Sequence, residues 1–451
     1  MHNALQGRGT EIVDPRTATV FEYQPDSTRA EIDAAFDAAA EAGRDWRAIT
    51  PAERHAALLR FADAVESEAD QLVTIEERNT GKAPEQIRDE LAGALDEMRF
   101  MAGAQRALQA PLAGRYVSGT ASMASREAIG VCAQILPWNY PLASAISKLA
   151  PALAMGNTSV LKPAAPTPCS ANALASIAGE NLPAGVVSVV FGGRETGEYM
   201  VAHSVPGLIS LTGSVRAGRE IVRAAGLKVL HLELGGNCPA IILDDVDVAV
   251  TAREIADAAL YNAGQDCTAA SRLLVANAVF EEFVAALTQE FSVTPTAPLA
   301  TPQHLDRVTG LLDRLPASAR VKCGGRRAEV PGLYVQPTVV TEVAQDDEIV
   351  REEIFGPVVT VQAFENADEA VDLANGTEYG LAASIWTRDH GAAVALSGRV
   401  DAGTVWINTH GVYATEMPFG GFKSSGYGKD LSPIALENYS RLKHIMTGSI
   451  R

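Results

Sequence analysis

From about residue 126 the chain changes texture, and short runs rich in β-branched residues begin to alternate with segments of helical pattern. The runs are Ile129–Ile135, Ser159–Leu161, Val186–Phe191, Leu208–Leu211 and Val229–Leu234. Between the first two, Leu142, Ile146, Leu149 and Leu153 fall on one helix face, and "TPCSANALASIAGE" and "VRAGREIVRAAG" fill later intervals. Alternation at this spacing predicts a doubly wound parallel sheet. A second α/β unit starts near Leu234, with the strand "PAIIL", a helix through Val248–Leu260 and the strand "SRLLVA". Residues 292–302, "SVTPTAPLATP", read as a loop. The N-terminal third is helical. Thr28-Arg29-Ala30-Glu31 has capping-box form. Thr50-Pro51-Ala52-Glu53 starts a second helix with proline in its first turn, and Leu58, Leu59, Phe61, Ala62 and Val65 follow at helical spacing.

A length of 451 residues suggests two or three domains. No segment has 18 uninterrupted apolar residues, so no membrane span is expected. The start, "MHNALQGRGTEIVD", has no basic region followed by an apolar stretch, which points away from a secretory signal and towards the cytoplasm. The five cysteines, Cys132, Cys169, Cys238, Cys267 and Cys323, have irregular spacing and no CxxC, so neither a disulfide framework nor a metal cluster is expected. The formal charge of −18 argues against a nucleic-acid partner. It reads first as a solvated acidic surface and would also favour a cationic substrate.

Taken alone, the cysteine in Tyr261-Asn262-Ala263-Gly264-Gln265-Asp266-Cys267-Thr268 reads as inert packing. Other motifs accompany it in order: Pro137-Trp138-Asn139-Tyr140-Pro141 at a strand end, Val160-Leu161-Lys162-Pro163, Glu233-Leu234-Gly235-Gly236, Glu352-Glu353-Ile354-Phe355-Gly356-Pro357, and Pro418-Phe419-Gly420-Gly421. Together they resemble the NAD(P)-dependent aldehyde dehydrogenase family over about residues 20–446. Within that family "YNAGQDCTAA", "NTH", "EMP" and "SGYGKD" are most similar to the aminobutyraldehyde dehydrogenases.

The resemblance implies an α/β architecture. A doubly wound Rossmann-like cofactor domain is expected over 1–108 and 127–234, and a second α/β catalytic domain over 235–430. A small β oligomerisation arm is expected over 109–126 and 431–451, with "AGRYVSGTASMAS" pairing "SRLKHIMTG" to make a homodimer or homotetramer. Oxidation of an aldehyde to an acid needs a thiolate nucleophile, implied to be Cys267. It needs donors for the oxyanion, implied to be Asn139 and the Cys267 backbone N–H. It also needs a base to hydrolyse the thioester, implied to be Glu233. NAD or NADP would lie along Gly213-Ser214-Val215-Arg216-Ala217-Gly218, a strand-to-helix turn whose N–H groups suit a pyrophosphate. Lys162 would reach the adenosine ribose, Glu353 would hold the nicotinamide ribose, Phe355 would pack near the nicotinamide, and Trp138 would flank its path.

Two departures from the family pattern matter. Ala165 stands where NAD-using relatives carry a ribose-gripping glutamate, which leaves the choice between NAD and NADP open. Ser144 and Ser147 stand where relatives carry methionine and tryptophan, which implies a wider, more polar aldehyde tunnel walled also by Tyr140, Tyr413 and Phe419. The chain is also short around 292–302 and in its N-terminal hairpin, both placed away from the chemistry. In an extended segment the side chains of Asp266 and Cys267 point apart. Asp266 is therefore read either as a channel carboxylate attracting a cationic aldehyde or as a turn aspartate bonding its own backbone. Alternatives to the hydrolytic reaction are acyl transfer to coenzyme A, whose enzymes usually lack the glutamate base, and a catalytically silent structural relative.

Overall fold

The structure, a computed structural model, describes residues 8–108 and 112–448. Parts of the expected cofactor domain (1–7) and arm (109–111 and 449–451) lie outside the described residues.

Two parallel-rich sheets carry the fold. The first runs in the order Gly426–Tyr427, Val229–Leu234, Leu208–Gly213, Val131–Ile135, Thr158–Lys162, Val187–Val189. All its pairings are parallel except that of Gly426–Tyr427. Strands buried on both faces need helices on both, and this sheet has them. On one side Leu142, Ile146, Leu149 and Leu153 of the helix Pro141–Ala154 pack with Leu58, Phe61 and Val65 of the helix Pro51–Ser67. On the other side Ile32 and Phe36 of Arg29–Trp46 pack with Ile221 of Val215–Ala224. Both expected capping boxes form, Thr28 with Glu31 and Thr50 with Glu53.

The second sheet runs Arg320–Cys323, Thr338–Thr341, Val358–Phe364, Ala270–Ala276, Cys238–Ile242, Ala382–Trp386, Thr404–Ile407, and only its first strand is antiparallel. Helices Val248–Leu260 and Phe280–Val293 cover one face, while Ala367–Asn375 and His390–Ser397 cover the other. Gly426–Tyr427 lies inside the segment expected for the second domain, yet it pairs with Val229–Leu234 of the first sheet. It thereby ties residues 419–430 to the strand that carries Glu233. A third sheet pairs Thr120–Ala128 with Ser440–Gly448, antiparallel, and leaves Met123, Leu442, Ile445 and Met446 exposed.

Candidate active site

The C-terminal ends of the first sheet's parallel strands open onto a cleft of about 2060 Å³, closed on its far side by residues of the second α/β unit. That is where open α/β sheets hold ligands. Every residue singled out above lines it except Gly218, which works from behind. A Cβ on Gly218 would lie 2.5 Å from Leu234 Cδ1, so glycine lets the helix Val215–Ala224 sit tight against the strand Val229–Leu234. Ser214 caps that helix through its Oγ, 3.3 Å from Ala217 N, and Gly213 ends the strand before it.

The loop that carries Cys267 is a knot of amides. After the helix Val248–Leu260, Asn262, Ala263 and Gly264 take left-handed φ values of 48°, 55° and 68°. Such a conformation costs a non-glycine residue roughly 1–2 kcal/mol, so neighbouring bonds must hold it. Asn139 Nδ2 donates to Gln265 O at 3.0 Å, and Asn262 Nδ2 donates to Asn139 O and Gln265 O, both at 3.2 Å. Gln265 Nε2 donates to Asn262 O at 3.0 Å and Pro298 O at 3.1 Å, and its Oε1 accepts from Ala300 N at 2.8 Å. The short 292–302 segment therefore reaches the residue two before Cys267, and its placement away from the chemistry is corrected. The physical reason is burial: Gln265 is 2% exposed, and its amide must find partners. Asn262 and Gln265 escaped the sequence reading, although two amides flanking a glycine beside the nucleophile were a visible signal.

Cys267 lies in a turn, with Ala269 N donating to Asp266 O at 3.1 Å, and not in the extended segment anticipated. Burial, and next the Asp266 carboxylate, hold the Cys267 thiol well above the ordinary thiol range. Asp266 is fully engaged elsewhere. Its Oδ1 accepts from Thr268 N at 2.6 Å and Thr268 Oγ1 at 2.7 Å, and its Oδ2 accepts from Tyr140 Oη at 2.6 Å. Behind Cys267, a Cβ on Gly236 would collide with the Cys267 carbonyl, and one on Gly235 with the Glu353 carboxylate. The two glycines after Glu233 thus let three functional residues meet.

Glu233, next to last in its strand, has both carboxylate oxygens unpartnered, and burial pushes its pKa up to about 7. Glu353 Oε1 accepts from Gly236 N at 2.9 Å, and burial brings this carboxyl to about 7 as well. Burial lowers the Lys162 ammonium to about 8; it donates only to Pro163 O at 3.0 Å and Gly192 O at 2.8 Å. One of its three N–H groups is left for a ligand. Ala165 adds no carboxylate beside it. Trp138 packs edge-on to Phe355, with centroids 5.2 Å apart, and Phe355 takes a φ of 60°. The capped helix start, the buried Lys162 ammonium and the half-buried Glu353 carboxylate together fit a dinucleotide.

At the aldehyde end, the Tyr413 ring meets Phe419 at 5.3 Å and Trp406 at 5.7 Å, and Tyr413 Oη shares a 2.7 Å bond with Thr268 Oγ1. Ser144 and Ser147 are partly buried on the opposite wall, beside Glu97, whose pKa burial raises to about 8. Asp89 and Asp266 add acidic character to this end, and Glu90 beside them is paired with the buried Lys82. Glu97, His231, Trp406, His410 and Asp430 were not singled out from sequence.

The chain matches the family model described as "Aldehyde dehydrogenase family" over residues 3–445. It is similar to an aldehyde dehydrogenase of Emericella nidulans, 36% identical over 458 residues, which cover 98% of this chain and 92% of the relative. It is also similar to betaine aldehyde dehydrogenase of Bacillus subtilis, 35% identical over 420 residues, covering 89% and 86%. Among solved structures, betaine aldehyde dehydrogenase of Staphylococcus aureus in complex with NAD+ superposes with a TM-score of 0.94 at 32% identity, over 98% of this chain and 92% of that one. These names support the family as a whole and leave the narrower aminobutyraldehyde likeness to be argued from the site.

Proposed function

The chain belongs to the aldehyde dehydrogenase family, and on that premise we propose that it oxidises a cationic aldehyde to the acid with NAD or NADP, through a thioester on Cys267. The observation that carries this reading is the meeting of Cys267, Asn139 and an unpartnered, buried Glu233 in one cleft. Cys267 Sγ attacks the carbonyl carbon. Its raised pKa means that a base must take the thiol proton, and we assign that role to Glu233, which lines the same cleft. Asn139 has spent one amide N–H on Gln265 O, and its second N–H supports the oxyanion together with the Cys267 backbone N–H. NAD(P)+, when bound, supplies the hydride acceptor. Glu353 and Lys162 would hold its riboses. After the thiol proton has left Glu233 for the cleft, Glu233 takes a proton from water, whose oxygen attacks the thioester and releases the Cys267 thiolate. This role for Glu233 disfavours transfer to coenzyme A.

Two features support a cationic substrate. Carboxylates crowd the aldehyde end, and the relatives named for betaine aldehyde are named for a quaternary ammonium compound. Within that class 4-aminobutyraldehyde is the simplest candidate, while the serines at 144 and 147 weigh towards a bulkier or more polar aldehyde instead. Alanine at 165 offers no carboxylate from that position to oppose a 2′-phosphate, which supports NADP alongside NAD. The exposed apolar edge of Ser440–Gly448 supports a homodimer or homotetramer; a single monomeric species in sedimentation would contradict that. The central test is kcat/KM for amino, aryl and alkyl aldehydes with both cofactors. Failure to reduce either cofactor with any aldehyde, with and without coenzyme A, would favour the silent relative. Cys267→Ser is expected to abolish the wild-type activity.

A further inference from the structure

Resting on the hydrolytic reading above, we propose that His231 is a positioning residue for deacylation, carrying the proton from Glu233 to Asp430 between turnovers. His231 and Glu233 are two apart on the strand Val229–Leu234, so their side chains share a face. His231 Nε2 lies 3.8 Å from Glu233 Oε1 and 3.4 Å from Asp430 Oδ1. None of these three atoms has a hydrogen-bond partner, nor has Glu233 Oε2. His231 is 1% exposed and Glu233 is 4% exposed, while Asp430 keeps 17% of its side chain open and lines the cleft. A buried base that takes a proton from water each turnover must also lose it, and His231 links it to Asp430, a more open carboxylate on the cleft wall.

The surroundings select the tautomer. His231 Nδ1 is 3.3 Å from both Ser210 Oγ and Tyr439 Oη, hydroxyls able to accept from an Nδ1–H, which leaves Nε2 as the base. Lys148 Nζ donates to Ser210 Oγ at 2.9 Å, which sets a cation behind the ring. The other ionisable groups near this cluster are Lys429, Tyr439, Cys267 and, beyond Asp430, Glu97. The loop over the cluster is shaped to it. A Cβ on Gly428 would collide with the imidazole, and one on Gly420 would lie 2.5 Å from Glu233 Oε1.

The step balances. The O–H bond of the attacking water breaks and its proton goes to Glu233. The water oxygen bonds the acyl carbon as the C–S bond breaks. The proton then passes from the Glu233 carboxyl to His231 Nε2, making an imidazolium between two carboxylates. From Nε2 it passes to Asp430 and out to the cleft.

The test is rapid mixing of wild-type, His231→Gln and His231→Ala proteins with saturating aldehyde and cofactor. Acylation is read as the initial burst of reduced cofactor and deacylation as the steady rate that follows. The expected result is a burst near one equivalent per active site in all three proteins. In both variants the steady rate should drop roughly tenfold or more, its pH profile should move, and free imidazole should restore part of the rate in His231→Ala. An unchanged steady rate and pH profile in His231→Gln would overturn the relay, and so would loss of the burst together with the steady rate in both variants. A wild-type protein with no burst at all would instead overturn the hydrolytic reading beneath it.

Discussion

Replacing Glu233 by glutamine should stabilise the fold at high pH while stopping turnover. Burial carries this carboxyl from an ordinary value of 4.5 to about 7. The folded state therefore binds the proton more tightly than the unfolded chain does. The associated stability is fully present below pH 4.5 and is lost as pH rises through 7. At about 1.4 kcal/mol per pH unit, ionised Glu233 costs the fold about 3 kcal/mol at pH 8 and less than about 1 kcal/mol at pH 5. Glutamine has nearly the same shape and no charge to desolvate. Glu353 and Glu97, also raised by burial, remain in both proteins and cancel in the comparison. The assay is chemical unfolding of the wild type and Glu233→Gln at one protein concentration, at pH 5 and pH 8. The variant should gain about 2–3 kcal/mol more at pH 8 than at pH 5. Its steady turnover should fall roughly 10²-fold or more. An equal effect at the two pH values, or a variant less stable at pH 8, would refute the claim that Glu233 is a buried, raised carboxyl.

Ala165→Glu should restore a grip on the adenosine ribose and repel a 2′-phosphate, raising the NAD-over-NADP ratio of kcat/KM roughly ten- to hundredfold; an unchanged ratio would place cofactor choice elsewhere. Gln265→Ala removes the tie between the nucleophile loop and Pro298 and Ala300, and should cost about 1–3 kcal/mol of stability, with a lower kcat. A wild-type kcat would show that the amide knot does not position Cys267. Asp266→Ala should narrow the preference for amino aldehydes over neutral ones, read as a kcat/KM ratio, and loosen Tyr140. Full retention of that preference would leave Asp266 as a turn residue only.

Much of the fold was legible because its determinants are local. The helix Val248–Leu260 and the face of Leu142, Ile146, Leu149 and Leu153 follow from periodicity, and both capping boxes follow from four-residue patterns. The ordered motifs located the cleft's residues for the same reason: each sits at a strand end or turn where chemistry is carried by neighbours in sequence. The left-handed Ala263 was not legible. Alanine has no preference for that conformation, and only bonds from Asn139, Gln265 and the 298–300 segment hold the loop there.

What the sequence by itself determined is the family, the alternation of two α/β units and the positions of Cys267, Glu233 and Asn139, the residues proposed as nucleophile, base and amide donor. The tertiary structure alone decided how those groups are tuned. A carboxyl rises to about 7 only where distant elements exclude water from it. His231 reaches Glu233 through strand alternation, but it meets Asp430 and Tyr439, some two hundred positions later, only because the loop after Gly426–Tyr427 folds back over the strand. Desolvation and long-range contact are properties of the packed chain, and no local pattern encodes them.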